Sequence, residues 1–205
     1  SVASATTIYY TPYTHRFVPI YDGTRFVQAD VGGELSQATT DSTKSPAACT
    51  TNSNYDMFVW DDGGTYRCTR GPAWSSDTSR GTGAGTTELE RINGVWVNKV
   101  AITNGPAANR GTYVGTIRTD GASQVNFSPG STASGGGEAK WHVWNAYNRV
   151  AVLARVADST ANWTYASATW RSSNNSNTNR ISLVCGLNED AVSAAFAHVI
   201  SSTSG

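Results

Sequence analysis

Net charge, lysine and long apolar runs are what this sequence has least of. Its 15 basic and 15 acidic residues cancel, and lysine occurs only at Lys44, Lys99 and Lys140. No Lys/Arg cluster is present. Sequence-independent binding to DNA or RNA rests on many phosphate contacts, so nucleic acid is disfavoured as a partner. Adhesion to an anionic membrane is disfavoured on the same ground. No apolar run approaches the roughly 20 residues of a membrane-spanning helix, so no membrane insertion is expected, and no signal-peptide pattern stands at Ser1. Cysteine is sparse: Cys49, Cys68 and Cys185 lie far apart and form no C-x-x-C. They permit one bridge at most and read as core thiols rather than a zinc site. No D-x-D-x-D-G calcium loop occurs, so neither a metal nor another cofactor is expected. Leucine is scarce as well, which makes the mixture poor for helices.

What is abundant is Ser, Thr, Asn and Gly, with seven Trp and nine Tyr. That composition suits strands joined by tight turns. A chain of 205 residues buries about 70% of its unfolded surface and needs no disulfide framework. Residues 1–16 read as an extended arm, partly free, because Pro12 and small residues surround its short apolar run. Asp22-Gly23, Asp62-Gly63, Asn93-Gly94 and Asp120-Gly121 each separate runs of strand-forming residues and predict hairpins, with type I′ geometry expected at Asp62-Gly63. Residues 32–54 are polar and turn-rich and predict loop. Residues 141–157 predict two strands turning near Asn148, apolar on both faces and therefore central. A further strand pair is expected over 162–171 and a strand over 180–187. The tail 188–201 fits a helical face (Val192, Ala195, Phe196, Val199, Ile200) and an alternating strand equally well. The sum is all-β: one antiparallel sandwich or jelly-roll-like domain over 17–205, with a short C-terminal helix as one option for the tail.

One stretch imitates a phosphate loop: "NGPAANRGTYVGTIRT", residues 104–119. A phosphate loop needs a strand before it, a helix after it and a Lys-Ser/Thr pair. Here the residues after Gly111 are strand-like and no lysine is present. The stretch reads as the corner between two strands, with Arg110 anchoring it through carboxylates or carbonyls.

Side chains that could carry chemistry are few. His15, His142 and His198 are dispersed, and packing is the commoner role for such residues. No G-x-S-x-G elbow accompanies the many serines. Glu88 and Glu90 share one face of a predicted strand and fall within reach of glycosidase spacing, but a solvated face beside Arg91 explains them equally. No catalytic residue is assigned on this basis. Aromatic rings are the stronger argument. Trp74, Trp163, Tyr165 and Trp170 lie in or beside loops, where flat rings stack on sugars, against the competing use of each ring in core or interface packing. The sequons at Asn126, Asn162 and Asn174 are what an Asn/Ser/Thr-rich chain produces by chance.

Seven segments taken together resemble a family of virion structural proteins from tailed bacteriophages and prophages. They are "TTIYYTPY" (6–13), "VPIYDGTRFV" (18–27), "YDMFVWDDGGTYRCTRGPAW" (55–74), "NGPAANRGTYVGTIRT" (104–119), "VWNAYNRV" (143–150), "NWTYASATWR" (162–171) and "CGLNEDAVSA" (185–194). The likeness spans nearly the whole chain in one order. It implies a virion location and a non-enzymatic role, and it carries over no catalytic residue. The expectation is the globular part of a tail fibre or receptor-binding protein. It would be a homotrimer as fibres usually are, joined to other virion proteins by the arm and facing a bacterial surface polysaccharide. Two alternatives stand beside it: a capsid decoration protein or head fibre whose arm binds the coat lattice, and a polysaccharide depolymerase using Glu88 and Glu90.

Overall fold

The computed structural model describes residues 1–132, 134, 136–160, 163–164 and 168–195. Local turn chemistry sets most of its strands. The chain starts with β1 (Val2–Ala5) and β2 (Thr7–Tyr10). β3 (Phe17–Tyr21) and β4 (Phe26–Asp30) then form a hairpin. Its loop is held by the Asp22 carboxylate, which accepts from the Thr24 and Arg25 N–H groups at 2.8 and 2.9 Å. A fifth strand, β5 (Leu35–Ala38), lies inside the segment read as loop. Its sequence is polar because Gln37 points inward: its amide donates to Ser45 and its carbonyl accepts from the Arg70 N–H at 2.7 Å.

β6 (Asn54–Asp61) and β7 (Tyr66–Ala73) form the longest hairpin. The residues with positive φ are Gly63 (63°) and Gly64 (94°), closed by the Asp62–Thr65 pair. The type I′ turn therefore sits one residue later than Asp62-Gly63, because two glycines take the left-handed positions that Asp62 would occupy with strain. β8 (Leu89–Ile92) and β9 (Val95–Asn98) turn at Asn93 and Gly94, with φ of 46° and 89°, as the sequence predicts. β10 (Thr112–Arg118) and β11 (Val125–Ser128) follow, then β12 (Ala139–Trp141), β13 (Val143–Asn145) and β14 (Ile181–Leu183).

The largest sheet has the order β7-β6-β10-β9-β8, with β13 on the edge of β10 beyond β9. A second sheet has the order β1-β11-β12-β14, and β2-β5 and β3-β4 are two-stranded ribbons. All pairings are antiparallel except β12 with β14. The fold is all-β and sandwich-like. Residues 1–16 are extended, with β1 laid on β11 and β2 on β5. Among the described residues the one helical element is a 3-10 turn at Ser173–Asn175, and no helix is long and apolar enough to cross a membrane.

β6 lies inside the sheet between β7 and β10 and is buried from Asn54 to Trp60. Tyr55, Met57 and Val59 face a core shared with Val18, Ile20 and Ala29 of the β3-β4 ribbon. Phe58 faces the other way, toward Ile102, Tyr113 and Leu187. A register shift between Tyr113 and Gly115 lets Val114 and Ile117 both join the first core.

The central strand expected at 150–156 does not form. β13 ends where the Asn145 carboxamide accepts from the Tyr147 and Asn148 N–H groups, both at 2.9 Å. Beyond it Val150, Val152 and Leu153 are exposed. Of the strand pair expected at 162–171, residues 163–164 and 168–171 are not strands and the others lie outside the described residues. The tail carries no helix over 188–195, and the rest of it lies outside the described residues. The stretch 104–119 is the corner between strands. Asn98 organises it, donating to Val100 and Ala107 carbonyls at 2.8 Å and accepting from the Gly111 N–H at 2.7 Å. Arg110 donates to the Tyr21 carbonyl at 3.3 Å, the anchor predicted for it.

Candidate functional site

The second face of the large sheet carries a buried ion pair. Asp56 points out of β6 opposite to Met57 and is wholly buried. Each carboxylate oxygen has two donors. Arg80 Nε and Thr87 Oγ1 reach one at 2.6 and 3.0 Å, and Arg80 Nη2 and Thr116 Oγ1 reach the other at 3.1 and 2.7 Å. Burial raises the pKa of Asp56, against the pull of Arg80 and the two hydroxyls. Arg80 also donates to the Gly186 carbonyl. Its guanidinium lies over the Trp74 ring at 4.2 Å and the Tyr113 ring at 5.6 Å, a stacking geometry that lysine cannot reproduce. Gly186 is glycine for want of room: a Cβ there would collide with Tyr113, Trp144 and Thr116.

Above this pair opens a cleft of about 920 Å³, lying between the sheet and residues 181–188. Asn54, Leu89, Trp96 and Arg118 each come from a different strand of the sheet, and Trp74 from just past β7. The Trp74 and Trp96 Nε1 atoms are shut off from solvent without a hydrogen-bond partner, so each indole offers the cleft its carbon surface. At the rim Arg118 donates to Asp77 at 2.7 Å and to the Asn54 carboxamide at 3.0 Å. The Asp77 side chain remains 67% exposed. Glu88 accepts from Lys99 at 2.6 Å and from the Gly83 N–H at 2.8 Å, and these two partners hold its pKa below the ordinary carboxylate value.

Of the aromatic candidates, Trp74 lines this cleft. Trp163 is half-buried and Trp170 is 98% exposed; neither lines the cleft. Tyr165 lies outside the described residues. The second indole lining the cleft is Trp96, not singled out from the sequence because it sits inside a strand. A Trp two residues past an Asn-Gly turn is the signal that marks it. Glu88 lines the cleft but Glu90 does not; Glu90 is exposed on β8. His142 is buried, with Nε2 3.1 Å from Ser182 Oγ; His15 is exposed, and His198 lies outside the described residues. Cys49 and Cys68 belong to the first core, and Cys185 is a half-buried thiol donating to the Leu187 carbonyl at 3.2 Å. The Asn126 side chain is used internally, by the Ser4 N–H and Asp120. Among the described residues no group of three His, Cys, Asp or Glu could hold a metal ion.

Comparison with protein families, with curated proteins and with solved structures finds no match to this chain.

Proposed function

We propose that this chain is a virion structural protein of a tailed bacteriophage: the globular part of a tail fibre or receptor-binding protein that holds a host-surface glycan without cleaving it. The observation that carries the reading is the state of the acids around the cleft. Asp56 is tied to Arg80, Asp77 to Arg118 and Glu88 to Lys99. A hydrolase needs a cleft-facing acid that keeps its proton near neutral pH. Glu88 is pulled the other way, and Asp56 spends its lone pairs on internal donors. The resemblance of seven ordered segments to phage virion proteins supports the location.

In the particle the chain is a homotrimer, with residues 1–16 leading to other virion proteins. Exposed Val150, Val152 and Leu153, close together in the chain, support an interface with further copies, since neighbouring apolar groups are usually covered. Sedimentation of the purified chain should give three times the monomer mass. Gold-labelled antibody should mark the tail tip, and added protein should slow adsorption of the phage. Label on the head would favour a decoration protein. Steady release of new reducing ends from host polysaccharide, abolished by Glu88→Gln, would establish a depolymerase instead.

A further inference from the structure

We infer that the cleft beneath Trp74 and Trp96 is the ligand site, and that it takes an uncharged oligosaccharide of more than one ring. This rests on the glycan-binding reading above and assigns its place and chemistry. The volume, about 920 Å³, lies near the upper end of the roughly 300–1,000 Å³ of small-ligand sites. Its lining has the two components that sugars need. Trp74 and Trp96 each have a guanidinium over the ring, Arg80 at 4.2 Å and Arg91 at 5.0 Å, and an N–H shut off from solvent, so the indole surface left to the cleft is ring carbon, which suits the C–H faces of pyranose rings. Asp77 and Arg118 form a rim pair in which an acceptor and a planar donor stand side by side, the match for adjacent hydroxyls.

Charge decides the class of sugar. The lining contains two cations, Arg80 and Arg118, and two carboxylates, Asp77 and Glu88. Arg80 is further neutralised by Asp56, and Glu88 by Lys99. No unmatched cation waits for a uronate, sialate or phosphate. Competing occupants are less well matched. A nucleotide would leave its phosphates unpaired, and an apolar peptide would bury the Asp77–Arg118 pair. Trp170, the most exposed indole, has no such polar partners beside it in the cleft and is placed outside the site.

The test uses the full chain in titration calorimetry, with maltohexaose, cellohexaose and chitohexaose as neutral probes and tetragalacturonate as the charged one. At least one neutral hexamer should bind, with an affinity that barely changes with salt, because screening acts on charged ligands. Asp77→Asn keeps the side-chain shape at an exposed position and should weaken binding about tenfold or more. Trp96→Phe should also weaken it; because Trp96 packs on the second core, its melt should fall somewhat, whereas that of Asp77→Asn should stay near wild type, and binding is compared well below both melts. Tighter, salt-sensitive binding of tetragalacturonate overturns the inference. So does neutral binding that survives Asp77→Asn and Trp96→Phe, or that is lost only in Trp170→Ala. If none of the hexamers binds, the site assignment is withdrawn. The wider reading is judged separately, by whether the wild-type chain competes with phage adsorption. Competition that persists in both cleft variants places the receptor contact elsewhere on a true attachment protein; no competition by wild type removes the attachment role itself.

Discussion

The two faces of β6 solve opposite problems with alternate residues of one strand. Toward the β3-β4 ribbon, Tyr55, Met57 and Val59 enter an apolar core with Val18, Ile20 and Ile117. Each fully buried aliphatic side chain there is worth about 1.5–3 kcal/mol from area alone. Toward the cleft, Asp56 is equally buried but is stabilising only through its partners. Area is forgiving, because a smaller side chain still fills most of the space. A buried charge is not, because removing one partner leaves the whole desolvation cost behind. The dry face thus supplies stability, and the polar face fixes where Trp74, Tyr113 and residues 181–188 stand.

The largest effect should come from breaking the polar face. Arg80→Met removes the cation but keeps much of the volume, leaving Asp56 buried and unpaired. Urea unfolding at neutral pH should show a loss of about 3–5 kcal/mol. Burial raises the pKa of Asp56 and Arg80 is the main influence pulling it down, so removing Arg80 moves the folded-state pKa further above the ordinary value near 3.8. Such a group is neutral in both states at low pH, and its penalty grows as pH rises from the unfolded toward the folded pKa. The variant should therefore recover relative to wild type as pH falls toward about 4. A loss that is the same at every pH would mean that Asp56 and Arg80 are not coupled.

The dry face should respond less and without pH dependence. Ile117→Val deletes one methylene from a site 2% exposed and should cost about 0.5–1.5 kcal/mol. Its cost should add to that of Arg80→Met only if the faces are independent. Ile117 and Thr116 are adjacent on β10, and Thr116 donates to Asp56, so a shortfall in additivity would measure how far repacking on one face reaches the other.

The same contrast explains what could be read in advance. Asn93-Gly94 and Asp22-Gly23 were legible because a turn is a local event, dictated by which residues tolerate positive φ. The apolar alternation of Tyr55, Met57 and Val59 was legible for a similar reason. β5 was not, because its inward residue is Gln37, whose partners Ser45 and Arg70 are distant in the chain. The strand expected at 150–156 failed in the reverse sense: the side chains alternate suitably, but pairing is a property of neighbours, and β10 already has β6 along one edge and β9 and β13 along the other. The cleft was half legible. Trp74 could be named from its loop, but its sharing a cleft with Trp96, Arg118 and Asp77 depends on strand order, which no local pattern encodes.

A buried polar group with too few partners should mark the point where acid enters the fold. Asp56 has two donors on each oxygen; His142 has Ser182 on Nε2 and, among the described residues, nothing on its buried Nδ1. It bridges the two large sheets, following β12 and preceding β13. Burial lowers its pKa below 6.5, helped by Arg118 and Lys140 and opposed by Glu138 and Asp120. The folded protein thus holds a neutral imidazole, and the unfolded chain takes a proton near the ordinary value. Stability is full above that value and declines as pH falls through it toward the folded-state pKa. Urea midpoints measured from about pH 7.5 to about 5.5 should fall for wild type. His142→Gln, which cannot charge, should show a shallower slope over the same interval even if it is less stable at every pH. Equal slopes would place the acid-sensitive group elsewhere, and the contrast between a fully partnered carboxylate and a half-partnered imidazole would then have no bearing on how this fold responds to pH.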